Sequence, residues 1–485
     1  MKKKNKSLAV IDIGSSSIRL VIFEKISYSA QIIFNEKNTL NLGSMINSGE
    51  FIEERKALEL LSLLKRFISL CKNLKKENIH IFASAAFRIA KNKYEIKTFL
   101  ERNLGVSIKI ISEEEEGILS AKGVLFSHRN PIGLVGDFGG GSFELTDINE
   151  LKRIKFLKSL SVGHLVLRNL GRSTDEKVFK YIKNSFKNLS LGSNQNFYAV
   201  GGSFRALAKA HMSIKNQDLK IIQDYQVDAK IFLSEIKEKI FVKSGEVNKI
   251  FLNEISKSRA EIIPYSIMVL ENLIKIAKVK KIFFTNSGAR EGVLYNLIKK
   301  KNDDPFILNV KNIAKDTMCK DDVKNILKLL DSSNIPFAIN KRIIKAACWL
   351  TNISASVHPE YRRVFALERI LYNQFYHIER EERYILSLIL YFRYSNSIKD
   401  KFVSSYSKKI SSRKLSNCRI LGQLLRVFHH ISGRLNYSQL NKIEIKVNKK
   451  NKIELICSEK KVLISGQSIE RGIRNINEAL KNYNK

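Results

Sequence analysis

Two stretches of this chain carry the same pattern, and any fold it adopts has to accommodate both. Val10-Ile11-Asp12-Ile13-Gly14-Ser15-Ser16-Ser17 aligns without a gap on Val135-Gly136-Asp137-Phe138-Gly139-Gly140-Gly141-Ser142, 125 residues further on. Each copy has Asp, Gly two positions later and Ser five positions later, with an apolar run before and an alternating run after. That reads as two strands joined by a turn of small residues. In the second copy three successive glycines keep side chains out of the way, so backbone N–H groups can converge on phosphoryl oxygens. Asp137 and Glu144 stand at its ends, placed to hold a Mg²⁺ directly or through water. A lone glycine-rich hairpin would explain one such turn, but not its repetition. Seven residues after the Asp the copies diverge, to Arg19 in the first and Glu144 in the second. One turn then offers a cation to phosphate and the other an anion to metal.

Two similar halves facing each other across a cleft is how the actin-like ATPase fold handles phosphates, and the duplication is the ground for expecting that α/β fold. The pattern predicts strands at about 8–12, 17–24, 30–35, 79–84 and 106–111, with helices at about 50–75, 85–101 and 113–126. A second round follows: strands at 133–137, 143–148, 154–159, 197–200 and 281–284, helices between 163 and 189, and helices from 203, from 228, over 258–277 and from 288. Beyond Pro305 the period is helical to about 437, and alternation over 441–465 precedes a last helix at 468–482. The expected domains are therefore 1–127 and 128–304, both actin-like (ribonuclease H-like, ASKHA), a helical domain 305–437, and a small α+β domain 438–485.

The chain has 485 residues, 44% of them hydrophobic, enough for about three domains with proper cores. No apolar run approaches the ~18 residues of a membrane span, and the lysine-rich start is not followed by a signal-peptide pattern. The expectation is a cytoplasmic protein with no membrane partner. The five cysteines are scattered, with neither zinc-site spacing nor disulfide density. The net charge of +38 favours anionic partners in general. A genome biased toward Lys and Asn would also produce it, so it requires no nucleic acid.

Ser112-Glu113-Glu114-Glu115-Glu116 opens a helix, with Ser112 and Glu115 spaced as a capping box. That leaves Glu116 free to face the cleft, where a carboxylate among like charges can act as general base toward water. Ala83-Ser84-Ala85-Ala86-Phe87-Arg88 lies at a strand-to-helix junction that can aim a helix N-terminus and Arg88 at an anion. Val200-Gly201-Gly202-Ser203 and Ser287-Gly288-Ala289-Arg290 are further strand-to-helix glycine turns, at the strand ends where open α/β sheets bind ligands. No G-x-x-x-x-G-K-[ST] occurs, which excludes P-loop chemistry.

In these stretches, from Asp12 to Tyr295, the chain resembles the exopolyphosphatase and guanosine pentaphosphate phosphohydrolase (Ppx/GppA) family. The resemblance implies two actin-like domains around a cleft, Mg²⁺-dependent release of terminal phosphate, and inorganic polyphosphate or guanosine pentaphosphate (pppGpp) as substrate. It puts the catalytic glutamate on Glu116 and the metal and water carboxylates on Asp137 and Glu144. The phosphate-binding set is Asp12, Gly14, Ser15, Ser17, Arg19, Arg88, Gly139, Gly140, Gly141, Ser142, Gly201, Gly202 and Ser203. The chain departs from the family at Ser16 (usually Asn), Glu113 (usually Gly) and Gly117 (usually Ala). Ala346 to Leu350 and His358 to Arg362 look like the helical domain of alphaproteobacterial members, itself reminiscent of HD-type phosphohydrolases. Leu350, Thr351 and Asn352 stand where an HD site would need His-Asp, so that domain reads as a non-catalytic clamp, with Arg362, Arg363, Lys408, Lys409, Arg413 and Lys414 as its basic candidates. A phosphate-binding regulator without turnover and an actin-like ATPase or sugar kinase remain as rival functions, and a homodimer stays open.

Overall fold

The computed structural model describes residues 7–43, 51–74, 78–172, 174–187, 189, 191, 195–240, 255–299, 304–333, 335, 337–434, 436–448, 452–458 and 466–481. The expected ends of the first long helix, at 50 and 75, and the tail of the C-terminal alternation at 459–465 lie outside the described residues. The chain divides into two units, Met1–Lys301 and Asn302–Lys485.

The first unit begins with β1 (Leu8–Ile13), β2 (Ser17–Phe23), β3 (Ile32–Thr39), α1 (Glu54–Asn73), β4 (Ile79–Ala83), α2 (Ala85–Ile89), α3 (Lys93–Leu104), β5 (Lys109–Ile110) and α4 (Glu113–Ser127). The second round is β6 (Gly133–Phe138), β7 (Phe143–Ile148), β8 (Ile154–Leu160), α5 (His164–Leu170), α6 (Glu176–Phe186), β9 (Asn196–Val200) and α7 (Gly202–Ile214). It closes with β10 (Tyr225–Asp228), α8 (Ala229–Ile240), α9 (Lys257–Ala260), α10 (Ile263–Ala277), β11 (Lys281–Phe284) and α11 (Ala289–Leu297).

Among the described residues these strands form a five-stranded sheet, β3-β2-β1-β4-β5, and a six-stranded one, β10-β11-β9-β6-β7-β8. Read in reverse, the second repeats the first: a hairpin and third strand on one side, parallel partners on the other, with β10 added at the edge. β1 is covered on both faces, and accordingly it reads as a continuous apolar run broken only by Asp12. α1 covers its sheet with Ala57, Leu60, Leu61, Leu64, Phe67, Ile68 and Cys71, one stripe at helical spacing.

Helices α4 and α11 pack against each other without side chains between them. A Cβ on Gly123 would fall on the Gly288 carbonyl, and one on Gly292 would fall on the Leu119 carbonyl. That crossing places the N-termini of both helices, with Glu116 on one and Arg290 on the other, at one opening.

Three expectations need correction, and one strand was not expected. The single helix over 85–101 is two, because Asn92 turns aside to bond the backbone of Ile52 in both directions, at 3.0 and 2.9 Å. The helix over 258–277 breaks before Ile263, where Pro264 takes a first-turn position that needs no N–H donor. The strand over 106–111 shrinks to Lys109–Ile110. β10, which had no alternating run long enough to show in sequence, pairs antiparallel with β11.

The second unit comprises α12 (Pro305–Ala314), α13 (Lys320–Ser332), α14 (Lys341–Leu350), α15 (Arg362–Leu371), α16 (Arg380–Tyr394), α17 (Lys401–Ser407) and α18 (Ser412–Ser432). A 3₁₀ turn, Tyr437–Lys442, leads into the hairpin of β12 (Ile443–Val447) and β13 (Ile453–Cys457), and α19 (Gln467–Lys481) packs on α18. Of the basic residues expected to clamp a polyanion, Arg363 pairs with Asp400 at 3.4 Å and Lys414 with Glu381 at 2.8 Å. No helix among the described residues is long and apolar enough to cross a membrane.

Candidate active site

Each copy of the repeated pattern forms a β-hairpin whose Asp faces the residue seven positions on: the register pairs Asp12 with Arg19 and Asp137 with Glu144. The two turns close alike. The Gly14 N–H donates to the Ser17 carbonyl at 3.1 Å, and the Gly139 N–H to the Ser142 carbonyl at 3.0 Å. Neighbouring backbone then claims other carbonyls of each turn. Gly43 N–H donates to Ser15 O at 2.8 Å and Asn41 N–H to Ser16 O at 3.1 Å, while His164 and Leu165 donate to Gly139 O and Gly140 O at 3.2 and 2.9 Å. With those carbonyls held, the N–H groups of Ser15, Ser16, Gly140 and Gly141, which have no backbone acceptor among the described residues, are left for an anion. Gly163 permits this close approach of α5, since a Cβ there would collide with Gly140 and Gly141.

At the head of α4 the capping box is complete: Ser112 Oγ accepts from Glu115 N–H at 3.0 Å, and the Glu115 carboxylate accepts from Ser112 N–H at 3.0 Å. Glu115 also accepts from Lys109 outside the cleft, and Glu116, one residue on, lines it. Arg88 Nη1 donates to Glu116 Oε2 at 2.6 Å, and Nη2 reaches Ser142 Oγ at 3.4 Å and lies 3.6 Å from Glu144. Asp137 accepts from Ser120 Oγ, and Arg290 donates to Asp12 at 3.3 Å.

Burial pushes Glu116 up to about 7 against the pull of Arg88, with Asp137 and Asp12 adding to the rise. Burial likewise raises Glu144, helped by Glu116 and Asp137, and it raises Asp137 against the Ser120 hydrogen bond and the charges of Arg205 and Arg290. Asp12 rises for the same first reason, opposed by Arg290. Four acids raised first by burial, three of them (Asp12, Glu116 and Glu144) also by neighbouring acids, are a suitable donor set for a divalent cation. Among the described residues no three His, Cys, Asp or Glu are grouped closely enough to cage an ion. Mg²⁺ does not ask for a cage, since it keeps several waters and shares substrate phosphates.

Asp12, Gly14, Ser15, Ser17, Arg19, Glu116, Asp137, Gly139, Gly140, Gly141, Ser142, Gly201 and Gly202 all line one cleft of about 550 Å³. Three candidates do not. Arg88, between Glu116 and Glu144, and Glu144 itself are not part of the lining, and Ser203 is fully buried with no hydrogen-bond partner for its hydroxyl among the described residues. Gly117, where the family usually has Ala, has Thr146 and Phe156 within 3.2 Å of where a Cβ would sit.

Sequence reasoning missed five cations that also line the cleft: Lys37, Arg205, Lys209, Arg259 and Arg290. Arg290 was visible in the turn after β11 but its role was not. Arg205 follows the third glycine turn by one helical step, and Lys37 pairs with Arg19 in the β2–β3 register. Arg259 carried no local signal. Burial, together with the charges of Arg290 and Arg19, lowers Arg205 to about 10. Among the described residues no ion pair engages Lys37, Arg205, Lys209 or Arg259.

Residues 9–301 match the Ppx/GppA phosphatase family, and residues 337–479 match the exopolyphosphatase C-terminal domain. The chain belongs to the Ppx/GppA phosphatase family. It is 26% identical over 400 residues to Retrograde regulation protein 2 of Saccharomyces cerevisiae, covering 74% of this chain and 67% of that one. It is 24% identical over 303 residues to the guanosine-5'-triphosphate,3'-diphosphate pyrophosphatase of Aeromonas hydrophila, covering 61% of this chain and 60% of that one. Among solved structures, the Ppx/GppA member from Aquifex aeolicus is 24% identical with a TM-score of 0.52, covering 62% of this chain and 99% of that one. An exopolyphosphatase from Cytophaga hutchinsonii is 19% identical with a TM-score of 0.53, covering 60% and 97%. These likenesses establish the actin-like fold expected from the duplicated turn.

Proposed function

We propose that this Ppx/GppA protein is an exopolyphosphatase, releasing terminal phosphoryl groups from inorganic polyphosphate. The observation that carries this reading is the composition of the cleft. Glu116, Asp137 and Asp12 share it with Arg19, Lys37, Arg205, Lys209, Arg259 and Arg290, whereas its aromatic residues, Phe82, Phe138 and His164, are all buried and offer no open face to a base. A chain of phosphates can meet six cations in succession, and a guanine ring finds no platform.

In the reaction, Glu116 orients a water molecule and takes its proton as the water oxygen attacks the terminal phosphorus. The P–O bond to the bridging oxygen breaks, and that oxygen leaves on the shortened chain. A pKa near 7 suits a base working at neutral pH. The N–H groups of the two turns and Arg19 hold the equatorial oxygens, and Arg88 holds Glu116 in place. Asp137 and Glu144 would hold Mg²⁺, largely through water, which when bound neutralises charge on the phosphates.

Hydrolysis of pppGpp is the alternative substrate reading, and the name of the yeast relative raises a regulatory role without turnover. The test is phosphate release from long polyphosphate, tripolyphosphate and pppGpp measured side by side on the purified protein. Fastest release from polyphosphate supports the proposal. Release from pppGpp alone assigns the other substrate, and no release with any of the three leaves a binding protein.

A further inference from the structure

The second unit buries a cation that no carboxylate among the described residues balances. Arg393, near the end of α16, is 4% exposed. Its Nε donates to Thr351 Oγ1 at 3.3 Å, and its guanidinium lies 4.9 Å from the centroid of the Tyr394 ring. Among the described residues neither Nη group makes a hydrogen bond and no carboxylate pairs with it. A buried lysine could shed its proton, but an arginine cannot, so this charge favours an anion beside it. Thr351 and Asn352 occupy the place where the sequence left room for a His-Asp metal pair, and the structure puts a guanidinium against it.

The surroundings are basic as well. Arg426 on α18 donates through Nη1 to the Tyr394 carbonyl at 3.5 Å, and Arg362 on α15 donates through Nε to the Val357 carbonyl at 2.8 Å. Both are partly exposed, Arg434 is exposed, and among the described residues none of the three is in an ion pair. The leading charges acting on Arg393, Tyr394 and His429 are those of arginines, a histidine and tyrosines, with no acid among them. Two buried polar groups, Ser354 Oγ and His429 Nδ1, have no hydrogen-bond partner among the described residues, and the Ser354 N–H donates to the Tyr394 hydroxyl at 3.3 Å. Exposure is graded across the four: Arg393 is buried, Arg362 and Arg426 are half-buried, and Arg434 is exposed.

We propose that Arg393, Arg362, Arg426 and Arg434 form a second anion site, within the C-terminal unit, that takes the phosphate group of a phosphoanion. A carboxylate offers two oxygens to one fork, whereas a phosphate offers three, and its higher charge suits several arginines without acids. The source is either a segment of an inorganic phosphate chain or the phosphates of a nucleotide.

The experiment is isothermal titration of the full-length protein, carrying Glu116→Gln to suppress turnover, with inorganic tripolyphosphate and separately with GTP, at fixed low salt. The expected result is a class of sites that survives changes in the first-unit cleft and weakens about tenfold or more in the Arg426→Gln/Arg434→Gln double variant. Those residues are not buried, so the double variant should fold. Arg393→Lys, which keeps a charge but loses the fork, should weaken the same class with unchanged circular dichroism. Loss for tripolyphosphate only assigns a phosphate chain, loss for GTP only assigns a nucleotide, and loss for both means the phosphate group alone is read. If the double variant binds both probes with the parent's stoichiometry and affinity, the site does not exist. Because the readout is binding in a turnover-deficient protein, it stands or falls separately from the reaction proposed for the first unit.

Discussion

Arg88 sets the pH at which Glu116 ionises. Its guanidinium, 2.6 Å away, pulls the glutamate down while burial pushes it up, and the balance lies at about 7. Turnover should therefore rise with pH through an acid limb near that value, and Arg88→Ala, by removing the pull, should move the limb to higher pH. A pH–rate profile of kcat/KM reads this, and a limb unmoved by the substitution would assign it to the substrate. The same shift has a stability consequence. With a pKa of about 7 against an ordinary 4.5, folded Glu116 holds its proton more tightly than the unfolded chain, so the protein loses stability as pH rises between those values and loses no more above. In metal-free denaturant melts, Glu116→Gln should match the parent at low pH and exceed it increasingly toward neutrality. A constant difference across that range would contradict burial as the cause. The place of Glu116 on the cleft was legible in sequence because the capping box takes Ser112 and Glu115 and leaves the next residue free to face it. Arg88's part in holding it was not, because strand-to-helix position reveals that an arginine is near the cleft but not which partner it takes.

The two hairpins were the most legible elements, since the spacing of Asp, Gly and Ser fixes both the turn and the cross-strand partner. Less legible was what holds each turn from behind. α5 does this for the second turn, and nothing in the sequence around Gly163 announces a contact with residues 139–141. Gly163→Ala should push α5 off the turn, costing about 1–3 kcal/mol as overpacking does and lowering turnover as well. Denaturant midpoint and phosphate release together check this; an unchanged rate would mean the turn amides are not used. On the β6–β7 hairpin, Asp137→Asn and Glu144→Gln should each raise the Mg²⁺ concentration giving half-maximal rate, because each removes anionic charge facing the same position. Unchanged Mg²⁺ dependence in both would remove them from the metal site. Helices misjudged in sequence, the split ones at 90–92 and 261–262, broke where a tertiary hydrogen bond or a proline overrode a continuing period.

At the scale of the whole molecule, the duplication in sequence becomes two sheets of matching order, and the cleft is what their matching turns enclose. The charge of +38 was legible but its placement was not. Lys37, Arg205, Lys209, Arg259 and Arg290 come from four separate elements, β3, α7, α9 and α11, and meet only because the chain folds. Some expected clamp residues are tied up in ion pairs, whereas Arg393, which looked like any helical arginine, is buried with no ion pair among the described residues. The account as a whole turns on Glu116 activating water in that cleft. Its most direct test is phosphate release from inorganic polyphosphate at saturating Mg²⁺, comparing the parent with Glu116→Gln and confirming folding of the variant by circular dichroism. The account predicts a fall of about 10²–10⁴-fold in kcat with polyphosphate still bound. A folded variant that keeps near-full activity would contradict it.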